Sequence, residues 1–129
     1  MLRLRRKSGF WLGCFIVWLV TLWILSSISG SDTQLPPIKF SDKIAHFGYF
    51  FGGGGLLTAW FYRRNPENPD WPVILLSSIL ILALVGILDE FHQSFTPGRS
   101  GNDLFDWFAD LAGATCGALV FRLVHRVVK

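Results

Sequence analysis

The chain has 129 residues, a length typical of a single domain. Of these, 51% are hydrophobic and only 16% are charged, whereas soluble proteins carry about 25% charged residues. This composition excludes an ordinary soluble domain and indicates a membrane protein. The formal net charge is +3, but the sequence has no basic patch interleaved with aromatic residues, so a nucleic-acid partner is not expected.

Four apolar stretches are each close to the ~20 residues that cross a membrane as a helix. They are about 10–28, 44–62, 71–91 and 104–124. Short connections rich in Pro, Gly, Asn and Ser separate them, so neighbouring helices are expected to run antiparallel. The sequence therefore predicts an all-α membrane bundle of four transmembrane helices. A basic N-terminal segment, 1–9, precedes this single domain, 10–125.

Residues that favour helix starts support these boundaries. Ser41 or Asp42 is expected to cap the second helix, and Asp70 precedes a Trp-Pro pair that suits a first helical turn. Asn102 follows a Pro-Gly-Arg-Ser-Gly turn and is expected to cap the fourth helix.

Basic residues are distributed unequally between the two sides of the predicted bundle. Three lie on the side of the second and fourth helix starts: Lys39, Lys43 and Arg99. The other nine lie on the opposite side: Arg3, Arg5, Arg6, Lys7, Arg63, Arg64, Arg122, Arg126 and Lys129. Because basic residues accumulate in cytoplasmic loops, this bias predicts that both termini are cytoplasmic.

The first apolar stretch follows a basic segment, as in a signal peptide, and Ser27-Ile28-Ser29 is a weak candidate for a cleavage site. It is longer than a typical signal-peptide core and rich in Trp and Phe. We expect this stretch to be retained as a helix, and the sequence leaves cleavage as the alternative.

Acidic residues cluster at the junction between the third and fourth helices. Five of the chain's nine lie within residues 89–110. In the predicted topology this junction and the start of the second helix meet on the extracytoplasmic side. On the fourth helix, Asp103, Asp106, Asp110, Gly113 and Gly117 occupy a stripe about 80° wide. Small residues permit close helix contact, so this face is expected to point into the bundle.

The glycine run 52–55 in the second helix is expected to allow similar close contact, or to cause a local kink. A run of glycines lowers helix propensity, which favours a packing role for it.

These residues resemble the VanZ-like family of bacterial membrane proteins. The matching motifs are Asp42-Lys43-x-x-His46-Phe47-x-Tyr49, Glu90-x-x-Gln93, Pro97-Gly98-Arg99 and Asp106-x-x-Ala109-Asp110-x-x-Gly113-x-x-x-Gly117. In the last motif the family often has Asn at the position of Asp110. The resemblance implies a small multi-helix fold in the bacterial cytoplasmic membrane, a link to the cell envelope, and a link to teicoplanin-type glycopeptide resistance. It implies no particular reaction.

The polar residues predict an outward-facing site for an anionic envelope lipid or lipid-linked precursor. Arg99 is suited to hold a phosphate or carboxylate through two hydrogen bonds. The predicted ligand-binding residues are Asp42, Lys43, Gln93, Arg99, Asp106 and Asp110. Glu90 and His46 are the predicted acid/base pair if the protein is an enzyme.

Two alternatives to ligand recognition remain open. The first is a membrane enzyme that uses Glu90 and His46 on a lipid-linked substrate. The second is a structural scaffold in which the charged residues form an ion-pair cap. Transport is less expected, because the acids lie at one end and the chain has no internal repeat.

No metal and no cofactor are expected from the sequence. His46, Glu90, Asp106 and Asp110 offer one nitrogen and several oxygen ligands from three helices. However, no helix carries a Glu-x-x-His or a His-x-x-x-His pattern. The sequence does not indicate the oligomeric state.

Overall fold

A computed structural model describes residues 7–28, 41–99 and 101–127. It contains four α-helices: α1 (Ser8–Ser27), α2 (Ser41–Arg64), α3 (Trp71–Gln93) and α4 (Leu104–Val124). These described residues include no β-strand, so the all-α prediction is confirmed. The sequence predictions that depend on Arg3, Arg5, Arg6, Ser29, Lys39 and Lys129 lie outside the described residues.

The cap predictions gave mixed results. Asp70 caps α3 as expected, because its Oδ1 accepts a hydrogen bond of 3.2 Å from the amide of Val73. The prediction for α4 was wrong by one residue. Asp103 is the cap, and its Oδ1 accepts from Phe105 N at 2.9 Å. A cap residue needs an extended backbone, whereas Asn102 has a φ of 59° and belongs to the preceding turn.

Glycines bring α2 and α4 into backbone contact. A Cβ atom at Gly113 would overlap the carbonyl group of Phe47, and one at Gly117 would overlap that of Phe51. On α2, a Cβ at Gly54 would overlap the carbonyl group of Ala114. The close helix approach predicted from the small-residue stripe is therefore confirmed, and α2 continues as an unbroken helix through its glycine run.

The first helix packs against α2 through Trp18. Its indole stacks between the rings of Phe15 and Tyr49. The indole Nε1 donates to the Tyr49 carbonyl at 3.0 Å, and the Tyr49 hydroxyl donates to the Trp18 carbonyl at 2.7 Å. A Cβ at Gly53 would collide with this indole, so the glycine run also makes room for α1.

Three of the helices, α1, α3 and α4, are long and apolar enough to cross a membrane. Large apolar side chains project outward from them, including Val17, Trp23, Leu80, Leu84 and Leu123. Surfaces of this kind suit hydrocarbon and not water. The chain is therefore a multi-pass membrane protein.

The helix α2 differs in composition from the other three, and its most extensive packing is against α4. Its 24 residues carry the glycine run in the middle and charged residues at both ends. Packing against protein permits small residues where lipid contact would favour large apolar ones.

The antiparallel helices give the bundle two chemically different ends. At the acidic end, the C-terminal ends of α1 and α3 meet the N-terminal ends of α2 and α4. At the aromatic end, ring contacts join residues of all four helices and the start of the C-terminal segment: Trp11, Tyr62, Trp71, Phe121 and His125.

Candidate functional site at the acidic end

Lys43 is surrounded by carboxylates. Its Nζ lies 2.9 Å from Asp103 Oδ2 and 3.6 Å from Asp42 Oδ2, and it also donates a hydrogen bond to Asp106. The hydrogen bond from Lys43 lowers the pKa of the Asp103 carboxyl, which lies just outside the helix. These ion pairs join the N-terminal ends of α2 and α4. The positive charge of Lys43 is compensated by the carboxylates of Asp42, Asp103 and Asp106.

His46 lies one helical turn further into the bundle and has carboxylates on both sides. Its Nδ1 is 2.7 Å from Asp110 Oδ1, while its Nε2 is 3.6 Å from Asp106 Oδ2 and 3.8 Å from Asp42 Oδ1. The stripe of α4 places Asp106 and Asp110 one turn apart, so that both reach the same imidazole.

Asp89 is a site residue that the sequence analysis did not single out. Its Oδ2 accepts from the Gln93 amide at 2.7 Å, and its Oδ1 accepts from the Ser26 hydroxyl of α1. The Ser26 carbonyl in turn accepts from the Thr96 hydroxyl at 2.8 Å. Asp89 and Gln93 are four residues apart on one helix, and this spacing in the sequence could have predicted their hydrogen bond.

Glu90 connects α3 to the turn before α4. Its Oε2 accepts from Asp103 N at 3.0 Å, and its carbonyl accepts from Asn102 N at 3.3 Å. The other carboxylate oxygen, Oε1, is buried and has no hydrogen-bond partner in the described ranges 7–28, 41–99 and 101–127. Glu90 and His46 do lie in one cluster, but the residue in direct contact with the imidazole is Asp110.

A cavity of about 230 Å³ opens between α1, α2 and α3. One wall is polar, and the wall formed by α1 together with parts of α2 is apolar. The polar lining residues are Ser26, Asp42, His46, Asp89, Gln93 and Arg99, and the largest apolar ones are Leu22, Leu25, Ile28, Tyr49 and Phe50. The site can therefore accept a molecule that has both a polar and an apolar part.

Arg99 is the cation that faces this cavity. Its Nη2 donates to the Leu25 carbonyl at 3.4 Å, and its Nε is buried with no acceptor from any described residue. In the described part of the chain, no carboxylate forms an ion pair with its guanidinium. Within the described residues, Lys43 is therefore paired with protein carboxylates, whereas Arg99 is paired with none.

The structure separates the predicted site residues into two groups. Asp42, Gln93 and Arg99 line the cavity together with His46. The remaining predicted residues lie outside its lining, in the layer that supports it or in a second, shallower cavity: Lys43, Glu90, Asp106 and Asp110. Their binding and catalytic roles stay predictions.

The fold and the acidic end together define a multi-pass helical membrane protein with a polar site at one end. The sequence model of the VanZ/LLP1 family matches residues 10–125, and the chain belongs to this family. The resemblance drawn from the sequence motifs is thereby confirmed. No curated protein and no solved structure gave a significant match.

Proposed function

We propose that this VanZ-like protein resides in the bacterial cytoplasmic membrane with all four helices spanning it and both termini inside. The 24 residues of α2 extend about 36 Å as a helix, more than the ~30 Å of the hydrocarbon core. The described basic residues at the aromatic end support this orientation: Lys7, Arg63, Arg64, Arg122 and Arg126. Three of them pack over Tyr62, Trp60 and Trp71, as expected of an interfacial aromatic belt.

In this orientation the acidic end faces the extracytoplasmic side. We propose that its cavity recognises an anionic envelope lipid or lipid-linked precursor. The observation that carries the proposal is the Arg99 guanidinium, which lines the cavity without a carboxylate partner in the described residues. A phosphate or carboxylate headgroup would complete its hydrogen bonds.

The rest of the cavity suits the remainder of such a lipid. Leu22, Leu25 and Phe50 provide an apolar wall for a hydrocarbon chain. Both carboxylate oxygens of Asp89 accept hydrogen bonds, one from Ser26 and one from Gln93, so these bonds fix the position of Asp89 in the cavity wall. In this proposal, the link to teicoplanin-type resistance that the family resemblance implies comes from binding of this lipid at the extracytoplasmic face of the membrane.

The test is lipid binding by the full chain purified in detergent. The probes are a polyprenyl phosphate, phosphatidylglycerol and phosphatidylcholine, with native mass spectrometry as the readout. We expect the two anionic lipids to bind, and Arg99→Ala to bind them about 10-fold or more weakly, since a hydrogen bond to a charged group contributes about 1.5–3 kcal/mol. Arg126→Ala, at the aromatic end, is the matched control.

Two results would contradict the proposal. One is equal affinity of wild type and Arg99→Ala for the anionic lipids. The other is equal affinity of wild type for phosphatidylcholine and both anionic lipids, since a zwitterionic headgroup does not offer Arg99 an uncompensated anion.

A further inference from the structure

Four potential metal ligands meet at the polar wall of the cavity, and two of them, His46 and Asp89, line it. They are His46 of α2, Asp89 and Glu90 of α3, and Asp110 of α4. Each offers one ligand atom, and these atoms all lie within 4.8 Å of one another. The three carboxylic acids are 6%, 4% and 0% exposed respectively, so they lie inside the protein.

These carboxylates are short of positive charge. Lys43 is bonded to Asp103 and Asp106, and among the described residues no Lys or Arg forms an ion pair with Asp89, Glu90 or Asp110. Within the described part of the chain, the side-chain hydrogen bonds that Asp89 and Glu90 accept all come from neutral donors. Several buried carboxylates with one imidazole as their compensating group are costly unless a further cation or protons neutralise them.

Two buried oxygens in this cluster also have no hydrogen-bond donor among the residues that the structure describes. They are Glu90 Oε1 and Asp110 Oδ2. Asp110 Oδ2 points towards α3, since a Cβ at Gly86 would lie 3.1 Å from it. Gly86 and Glu90 are four residues apart on α3 and therefore share a face. The two oxygens thus belong to facing surfaces of α3 and α4.

We propose that His46, Glu90 and Asp110, with Asp89 as a fourth ligand, bind one divalent transition-metal cation of the Zn²⁺ or Mn²⁺ type. One imidazole nitrogen with carboxylate oxygens suits these ions. Ligand atoms at about 2.0–2.1 Å from a zinc ion lie at most about 4.2 Å apart. The observed separations are within 4.8 Å, so side-chain rotations that shorten the longest of them by about 0.6 Å would satisfy this limit.

A second group, formed by Asp42, His46 and Asp106, is a weaker candidate for a cation. The ammonium of Lys43 already bonds to Asp106 and contacts Asp42, so this group has its compensating charge. On the other side of the imidazole, no Lys or Arg among the described residues pairs with Asp110.

This inference departs from the sequence-based expectation of no metal. The ligands come from three helices, so no single helix carries a recognisable metal-binding pattern. The proposal goes beyond lipid recognition and is independent of it, since cation binding is measured without added lipid.

The experiment uses the full chain, purified in detergent, treated with a chelator and titrated with Zn²⁺ by calorimetry. We expect one saturable site per chain. Glu90→Gln should weaken Zn²⁺ binding by at least ~10-fold, because losing even a second-shell partner costs about 10–100-fold. Glu67→Gln, the same change at an exposed residue of the α2–α3 connection, should bind like wild type.

Asp110→Asn provides a second ligand substitution in case Glu90→Gln does not fold, as judged by gel filtration and helical content. Wild type without a saturable Zn²⁺ site would overturn the proposal and would indicate that protons neutralise the carboxylates. Folded ligand variants with wild-type affinity would overturn it as well. Arg99→Ala should keep Zn²⁺ binding while losing lipid binding, so failure of one proposal is distinguishable from failure of the other.

Discussion

Asp110 of α4 and His46 of α2 form a direct interhelical contact, with Oδ1 2.7 Å from Nδ1 and the carboxylate fully buried. This contact is possible because the helices approach closely. Gly113 lies on the same face of α4 as Asp110 and meets the backbone of Phe47 on α2, next to His46. A small-residue packing motif and a polar site are therefore parts of one arrangement.

Removing the Asp110 carboxylate should destabilise the bundle. Asp110→Ala leaves the half-buried His46 ring nitrogen without its partner, and an unsatisfied polar group of this kind costs about 1–3 kcal/mol. The measurement is the thermal unfolding midpoint of purified protein in detergent, with Glu67→Ala as an exposed control. An unchanged midpoint in Asp110→Ala would show that this contact contributes no net stability.

Any side chain introduced at Gly117 should destabilise the packing of α2 against α4. Its Cβ would overlap the Phe51 carbonyl, so Gly117→Ala must separate the helices and is expected to cost about 1–3 kcal/mol. Gly48 is the matched control, because a Cβ there meets nothing within 4 Å. Gly48→Ala should leave stability unchanged or raise it through helix propensity. Equal effects of both substitutions on the free energy of unfolding would contradict the packing assignment.

The Lys43–Asp103 ion pair should make stability depend on acid pH. Lys43 lowers the folded-state pKa of Asp103 below its ordinary value of 3.8, so the pair stabilises the folded state fully above that pH. Its contribution is lost as the pH falls below 3.8 towards the lower folded-state pKa.

The check is the free energy of unfolding of wild type and Asp103→Asn measured between neutral pH and about pH 2, which brackets the ordinary carboxyl pKa. Asn retains a capping oxygen, so the substitution mainly removes the charge. The stability advantage of wild type should shrink on acidification. A constant difference between the two proteins would contradict the assigned ion pair.

The orientation of the bundle is open to labelling in intact cells. In a background where Cys14 and Cys116 are replaced by Ser, Ser94→Cys at the acidic end should react with a membrane-impermeant maleimide. Glu67→Cys, in the exposed α2–α3 connection, should react only after the membrane is permeabilised. The reverse pattern would place both termini outside.

Resistance can be measured in a susceptible Gram-positive host that expresses each variant at a matched membrane level. We expect wild type and Arg126→Ala to reduce teicoplanin susceptibility and Arg99→Ala to lose this protection, since Arg99 is the cation that faces the cavity. Protection by Arg99→Ala would exclude its proposed role, and absence of protection by wild type would separate this chain from the resistance phenotype.

Glu90→Gln in the same assay addresses the membrane-enzyme alternative and the supporting cluster. Loss of protection with intact folding would favour a chemical or metal-binding role for the carboxylate. Retained protection would limit Glu90 to packing and to its hydrogen bond with the Asp103 amide.

Much of the architecture followed from the sequence by itself. Apolar stretches of membrane-spanning length located the four helices, and the fourth helix occupies the predicted residues 104–124. Helical periodicity placed Asp106, Asp110 and the glycines of α4 on one face. These features depend on local spacing along a single helix, which the sequence states directly.

Only the tertiary structure decided which side chains are partners. It joined Ser26 of α1 to Asp89, gave Asp103 rather than Asn102 the cap, and placed Lys43 among three carboxylates. Among the described residues it gave Arg99 no carboxylate partner. Such pairs depend on the rotation and axial offset of each helix relative to its neighbours. Periodicity orients a face but leaves both quantities undetermined, and packing at the glycine contacts sets them.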